Sequence, residues 1–147
     1  MNPMKQIVFY ILLSTISTIL LISCKKYPDG PGISVISKKE RLSNVWHLAS
    51  YFENGVDKTT DFNNAFQNAV ITINKTGDYS LKYKAWGLIN YSESGTWRIT
   101  NKNANFETNP TSGSGSVGSH RILRLKEQEL WYEDTDANGT KEYHLIP

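Results

Sequence analysis

Ala69-Val70-Ile71-Thr72-Ile73-Asn74-Lys75-Thr76-Gly77-Asp78-Tyr79-Ser80-Leu81-Lys82-Tyr83-Lys84 decides the fold. Ala69, Ile71 and Ile73 alternate with Val70, Thr72 and Asn74. After the turn letters Thr76-Gly77-Asp78, Tyr79, Leu81 and Tyr83 alternate with Ser80, Lys82 and Lys84. A repeat of two puts one set of side chains on each face of a strand, and a glycine-bearing turn between two such runs predicts a β-hairpin.

The same period extends in both directions. Upstream, Trp46, Leu48 and Phe52 fall on one face and His47, Ala49 and Tyr51 on the other. Downstream, Trp97 and Ile99 follow Ser94-Gly95, Phe106 marks a short strand, and Leu123 and Leu125 alternate with Ile122, Arg124 and Lys126. Leu130 and Tyr132 precede Asn138-Gly139, a strong hairpin turn, and Tyr143 and Leu145 end the series. About eight strands at a spacing of roughly 8–12 residues, with no helix long enough to cross between parallel strands, predict an all-β antiparallel up-and-down meander. Closing it into an eight-stranded barrel removes the exposed edges and puts the apolar face inside. Ser37 to Leu42 precedes the strands, and Ser37 with Glu40 three residues later is a capping box for one helical turn.

Composition bounds the function. The chain has 147 residues, one cysteine, and 16 Lys+Arg against 14 Asp+Glu, which suits one modest domain. Of the basic residues only Lys5 precedes Cys24, so the part from Cys24 onward is nearly neutral and has no basic excess with which to neutralise phosphates; nucleic acid is not an expected partner. A single cysteine closes no intramolecular disulfide and anchors no metal cluster.

Ile7 to Ile22 is uncharged and apolar except for Ser14, Thr15, Ser17 and Thr18, and it follows Lys5. This is a signal-peptide pattern. Its final letters, Leu21-Ile22-Ser23-Cys24, resemble the lipobox of bacterial lipoproteins. That resemblance implies cleavage before Cys24, a diacylglyceryl thioether and an acylated amine on Cys24, palmitate being the type of chain expected. With Lys25 following, it also implies an outer-membrane address in the cell envelope. The alternative is an idle or buried cysteine at the end of an ordinary signal peptide. Lys25 to Ile36, with Pro28, Gly30, Pro31 and Gly32, reads as a tether. The expected organisation is a signal peptide over 1–23, a lipidated cysteine and tether over 24–36, and a β-barrel over 37–147.

From Leu42 to Ile146 the pattern resembles the lipocalin-like domains of Bacteroidetes lipoproteins. The resemblance rests on Trp46-His47-Leu48, Thr76-Gly77-Asp78-Tyr79, Gly95-Thr96-Trp97 and the stretch Leu123 to Leu130. It implies a binding or assembly module whose barrel is a container.

The aromatic residues are the main site candidates. Trp46, Leu48, Phe52, Tyr79, Tyr83, Trp97, Tyr132 and Tyr143 are assigned to the barrel interior. They form either a packed core or an apolar cup whose tyrosine hydroxyls orient one ligand. Trp86 and Trp131 are assigned to the outer face or a loop, where they would serve a protein, glycan or membrane contact. Gly113-Ser114-Gly115-Ser116-Val117-Gly118 has the letters of a dinucleotide loop but precedes a strand, so it reads as a flexible loop and a candidate lid. Asp134, Asp136 and Asn138 copy the first half of a calcium loop, whose second half fails at Leu145; a polar hairpin explains the same letters. His47, His120 and His144 are expected to point away from the apolar face.

No catalytic residue, cofactor or metal is expected, and no enzyme. The expected function is a membrane-anchored, non-enzymatic binding module for a small apolar or amphipathic ligand. The alternative is a structural or interaction lipoprotein with a filled barrel, docking an envelope protein.

Overall fold

The hairpin that decides the fold forms as expected. In the structure, a computed structural model that describes residues 36–147, β3 (Phe66–Ile73) pairs antiparallel with β4 (Asp78–Ala85). Ile73 lies opposite Tyr79 and Ile71 opposite Leu81. Gly77 takes φ +106° in the turn, and its N–H donates to Asn74 O at 3.1 Å. The expected signal peptide, Cys24 and the expected tether as far as Val35 lie outside the described residues.

The remaining strands are β1 (Val45–Glu53), β2 (Val56–Asp57), β5 (Ile89–Thr100), β6 (Asn105–Ser112), β7 (Gly118–Leu125), β8 (Leu130–Asp136) and β9 (Gly139–Ile146). Each pairs antiparallel with its neighbours in the order β1-β3-β4-β5-β6-β7-β8-β9, and β1 also pairs with β9. The two-residue β2 is only an appendage on the end of β1. Eight strands therefore close into a barrel with no free edge. The expected all-β, antiparallel, eight-stranded closed barrel is what the chain adopts.

One end is solid. Helix α1 (Lys38–Leu42) has the expected capping box, with Ser37 and Glu40 bonding reciprocally. It delivers Leu42, fully buried, beneath Trp46, whose Nε1 donates to Leu42 O at 2.9 Å. Buried Arg41 donates from Nη1 to Leu125 O at 2.6 Å. Above them Ile73, Trp97, Phe106, Ile122, Leu125, Leu130 and Leu145 complete the core. Trp97 donates from Nε1 to Asn74 O at 2.8 Å, which ties its strand to the β3–β4 turn.

The opposite end carries a second helix, α2 (Thr59–Ala65), which the sequence pattern does not announce: Phe62 is its only large apolar residue. It forms because it finishes β1. Thr59 Oγ1 accepts from Tyr51 N–H at 2.9 Å, Lys58 N–H donates to Tyr51 O at 2.8 Å, and Asp57 accepts from Thr59 N–H at 2.8 Å. Phe62 then packs on Tyr51 and Phe66, with ring centroids 4.8 Å apart in both pairs.

Bulges change which residues face inward. The β1–β9 register shifts between Leu48 and Ser50, and the β7–β8 register between Ile122 and Arg124. One extra residue reverses the alternation beyond it. Tyr51, 5% exposed, therefore turns inward. Phe52, expected inside, turns outward against His144, with ring centroids 5.1 Å apart. In β7 the buried residues are Ile122 and Leu125 rather than Leu123 and Leu125.

Candidate functional site

Above the solid end the barrel is open. A cavity of about 610 Å³ runs from Trp46, Phe106 and Leu145 at its floor to Glu53, Phe66, Tyr83 and Lys141 near its mouth, within the roughly 300–1,000 Å³ typical of small-molecule sites. Of the interior residues read from the sequence, Trp46, Leu48, Tyr79, Tyr83, Tyr132 and Tyr143 line it. Trp97 points inward but lies in the packed end, outside the lining. Phe52 is outside for the reason given above.

One wall is a stack of aromatic rings. Tyr132 lies on Tyr143 at 4.7 Å and 17° between ring planes, and Tyr143 meets Tyr51 at 5.0 Å. On the facing side Tyr83 stacks on Tyr91 at 4.5 Å and 18°, and Phe66 meets Tyr83 edge-on at 5.2 Å. Burial pushes the hydroxyls of Tyr51, Tyr79, Tyr132 and Tyr143 above the usual tyrosine range. Hydrogen bonds to Glu53 and Glu93 push Tyr51 and Tyr79 further, and the charge of Asp134 adds to Tyr132 and Tyr143.

The polar residues are what the sequence reading missed. Glu93 sits on the inner face of β5, 7% exposed, and accepts from Tyr79 Oη and Tyr91 Oη at 2.6 Å each. Thr108 Oγ1 lies 3.1 Å from His120 Nε2, and His120 Nδ1 lies 2.6 Å from Asp134 Oδ1. Two polar groups, Glu93 with its tyrosines and Thr108–His120–Asp134, thus interrupt an otherwise apolar lining. His120 was expected outside, and the β7 bulge brings it in. Alternating Tyr91, Glu93 and Gly95 was the one available signal that β5 begins as early as Ile89.

The loop around the glycine-rich segment, expected to run from Thr108 to Ser119, is shorter, because β6 extends to Ser112 and β7 starts at Gly118. Gly115, Ser116 and Gly118 line the cavity. Gly115 lies so close to Glu93 that a β-carbon would overlap its carboxylate.

The other candidates are engaged elsewhere. Asp134 holds His120, and Asp136 accepts from Lys141 Nζ at 2.8 Å and from Asn138 N–H at 2.7 Å, so the half calcium loop is a braced hairpin. Among the described residues no group of three or more His, Cys, Asp or Glu is placed to hold a metal ion. His47 is exposed, and His144 stacks on Trp131 at 4.0 Å. Trp131 is outside, as expected, but covered, with the Arg124 guanidinium carbon 4.4 Å from its ring centroid. Trp86, Leu88 and Ile89 stand exposed at the β4–β5 turn on the rim. Among the described residues no helix is long and apolar enough to cross a membrane.

No protein-family model and no curated protein matches the chain. Among solved structures, a lipocalin-like protein from Bacteroides uniformis ATCC 8492 superposes with a TM-score of 0.53 at 12% sequence identity, over 73% of this chain and 99% of that one. At that identity the likeness is one of architecture: the chain has a lipocalin-like eight-stranded barrel fold.

Proposed function

We propose that the protein is a lipid-anchored, non-enzymatic binding module of the bacterial cell envelope, at the outer membrane, whose barrel takes up one small apolar or amphipathic ligand. The observation that carries this reading is the cavity of about 610 Å³, apolar at its floor and lined with tyrosine hydroxyls, Glu93 and His120 higher up. The filled barrel, docking an envelope protein, would need that volume closed. Thr108 Oγ1 is already hydrogen-bonded to His120, which suits orienting a ligand better than attacking one. The anchor rests on Leu21-Ile22-Ser23-Cys24: each buried methylene contributes ~0.8 kcal/mol, and more than one chain is needed for stable attachment.

Mass spectrometry of the protein extracted from its native membrane tests both parts. Under native conditions a reproducible extra mass released on denaturation is expected from a container. After denaturation a diacylglyceryl and acyl increment should remain on the peptide beginning at Cys24 and be missing from Cys24→Ala. An unmodified Cys24 peptide would refute the anchor. Identical native and denatured masses over several preparations would turn the reading to the filled barrel.

A further inference from the structure

We propose that the ligand is a small organic cation, an amine carrying an aromatic or apolar body, with its ammonium group held at Glu93. This rests on the reading of the barrel as a container and names the class of its contents.

Glu93 is 7% exposed and faces the cavity. Its partners are two tyrosine hydroxyls, and among the described residues no ion pair reaches it. Buried charges in proteins are ordinarily paired, because hydrogen bonds from neutral groups do not replace a counter-charge. The rest of the lining cannot supply one. Glu53, Glu93 and Asp134 face the cavity against Lys141, which Asp136 holds at 2.8 Å, and His120, which Asp134 holds at 2.6 Å. Each basic group is already matched to another acid, so the unmatched charge at the cavity is negative.

Shape points the same way, independently of charge. Tyr79, which donates to Glu93 and lines the cavity, keeps an oxygen lone pair, so Glu93 and Tyr79 together offer an ammonium group several acceptors. Tyr83, stacked on Tyr91, lines the cavity as well, and aromatic rings close to a cation stabilise it through their quadrupole. Below, Leu48, Ile71, Leu81, Phe106 and Leu145 form an apolar wall for the body of the ligand. A carboxylate of the same shape would meet like charge at Glu93 and is disfavoured. A fatty acid is therefore the wrong amphiphile for this site.

The test uses the full chain in lipid nanodiscs at neutral pH, where an alkylamine is protonated, with empty nanodiscs titrated as the blank. Isothermal titration calorimetry compares tryptamine, tryptophol and indole-3-propionate, which share a ring and differ in the charge of the tail. Tryptamine is expected to bind at least roughly tenfold more tightly than tryptophol, and indole-3-propionate most weakly. In Glu93→Gln the preference for tryptamine over tryptophol should disappear. Equal or tighter binding of tryptophol or indole-3-propionate overturns the proposal, as does no binding of any of the three. If Glu93→Gln loses the barrel's circular dichroism, the order of the three probes on the unaltered chain decides. A ligand mass released from the native protein without an amine preference would defeat this inference alone. Absence of both the released mass and any probe binding would defeat the container as well.

Discussion

Gly115 has no side chain where the Glu93 carboxylate lies, and this lets the β6–β7 segment settle over that carboxylate. The two tyrosine bonds fix the carboxylate in place, so it cannot swing aside freely for a new methyl group. Gly115→Ala should therefore break one or both bonds. Hydrogen bonds to a charged group contribute ~1.5–3 kcal/mol each, and a loss of that order is expected in urea denaturation. Unchanged stability would mean that the segment does not rest on Glu93. None of this is visible at positions 93 and 115 in isolation. A glutamate among Ser92 and Ser94 reads as solvated surface until β4 and β6 enclose it. Phe52 gives the converse case, a large aromatic that looks like core and lies outside.

The elements differ in how openly their letters state them. The β3–β4 and β8–β9 hairpins announce themselves through alternation and glycine turns, and both form in the expected place. At the second turn Gly139 takes φ +123°, and a β-carbon there would overlap the Asn54 side chain. That side chain accepts from Thr140 N–H at 2.9 Å, joining the β1–β2 turn to the hairpin across the seam of the barrel. Gly139→Ala imposes an unfavourable backbone conformation and disrupts that joint. It should cost more than ~1 kcal/mol, read as a lower urea midpoint with an unchanged slope; a wild-type midpoint would show the seam to be independent of the turn. Helix α2 is the opposite kind of element: Thr59–Ala65 has little helical periodicity, and it exists because Tyr51 leaves backbone groups that Lys58 and Thr59 satisfy.

The closed barrel concentrates tyrosines where exclusion of water and nearby negative charge oppose their ionisation. Tyr51, Tyr79, Tyr132 and Tyr143 have hydroxyls pushed up by burial first, with carboxylates at Glu53, Glu93 and Asp134 adding to it. In the unfolded chain these groups lose their protons near pH ~10, while in the fold they retain them to higher pH. Above that value the unfolded state binds fewer protons, so folding stability falls as pH rises. Below it the contribution is fully present. Urea midpoints should be level through pH ~8–9 and drop beyond pH ~10, and Tyr79→Phe should flatten the drop. An alkaline profile identical in Tyr79→Phe would remove Tyr79 from this account.

Alternation, turn chemistry and the capping box of Ser37 and Glu40 are local properties, so the meander, its strand number and helix α1 were legible in the order of the residues. Closure also followed, because eight half-apolar strands have edges to bury. The inside of the barrel was legible only up to the first bulge in a strand. In β1, Trp46 and Leu48 before it face inward as their parity says and Tyr51 replaces Phe52 after it; in β7, Leu125 beyond the bulge keeps its expected face, and on the far side of it Ile122 and His120 come inside. A bulge is set by the register between strands, and β1 meets β9 across nearly the whole domain. Which polar groups share the cavity with the aromatic rings was therefore a property of the assembled barrel, since Glu93, Thr108, His120 and Asp134 come from four different strands.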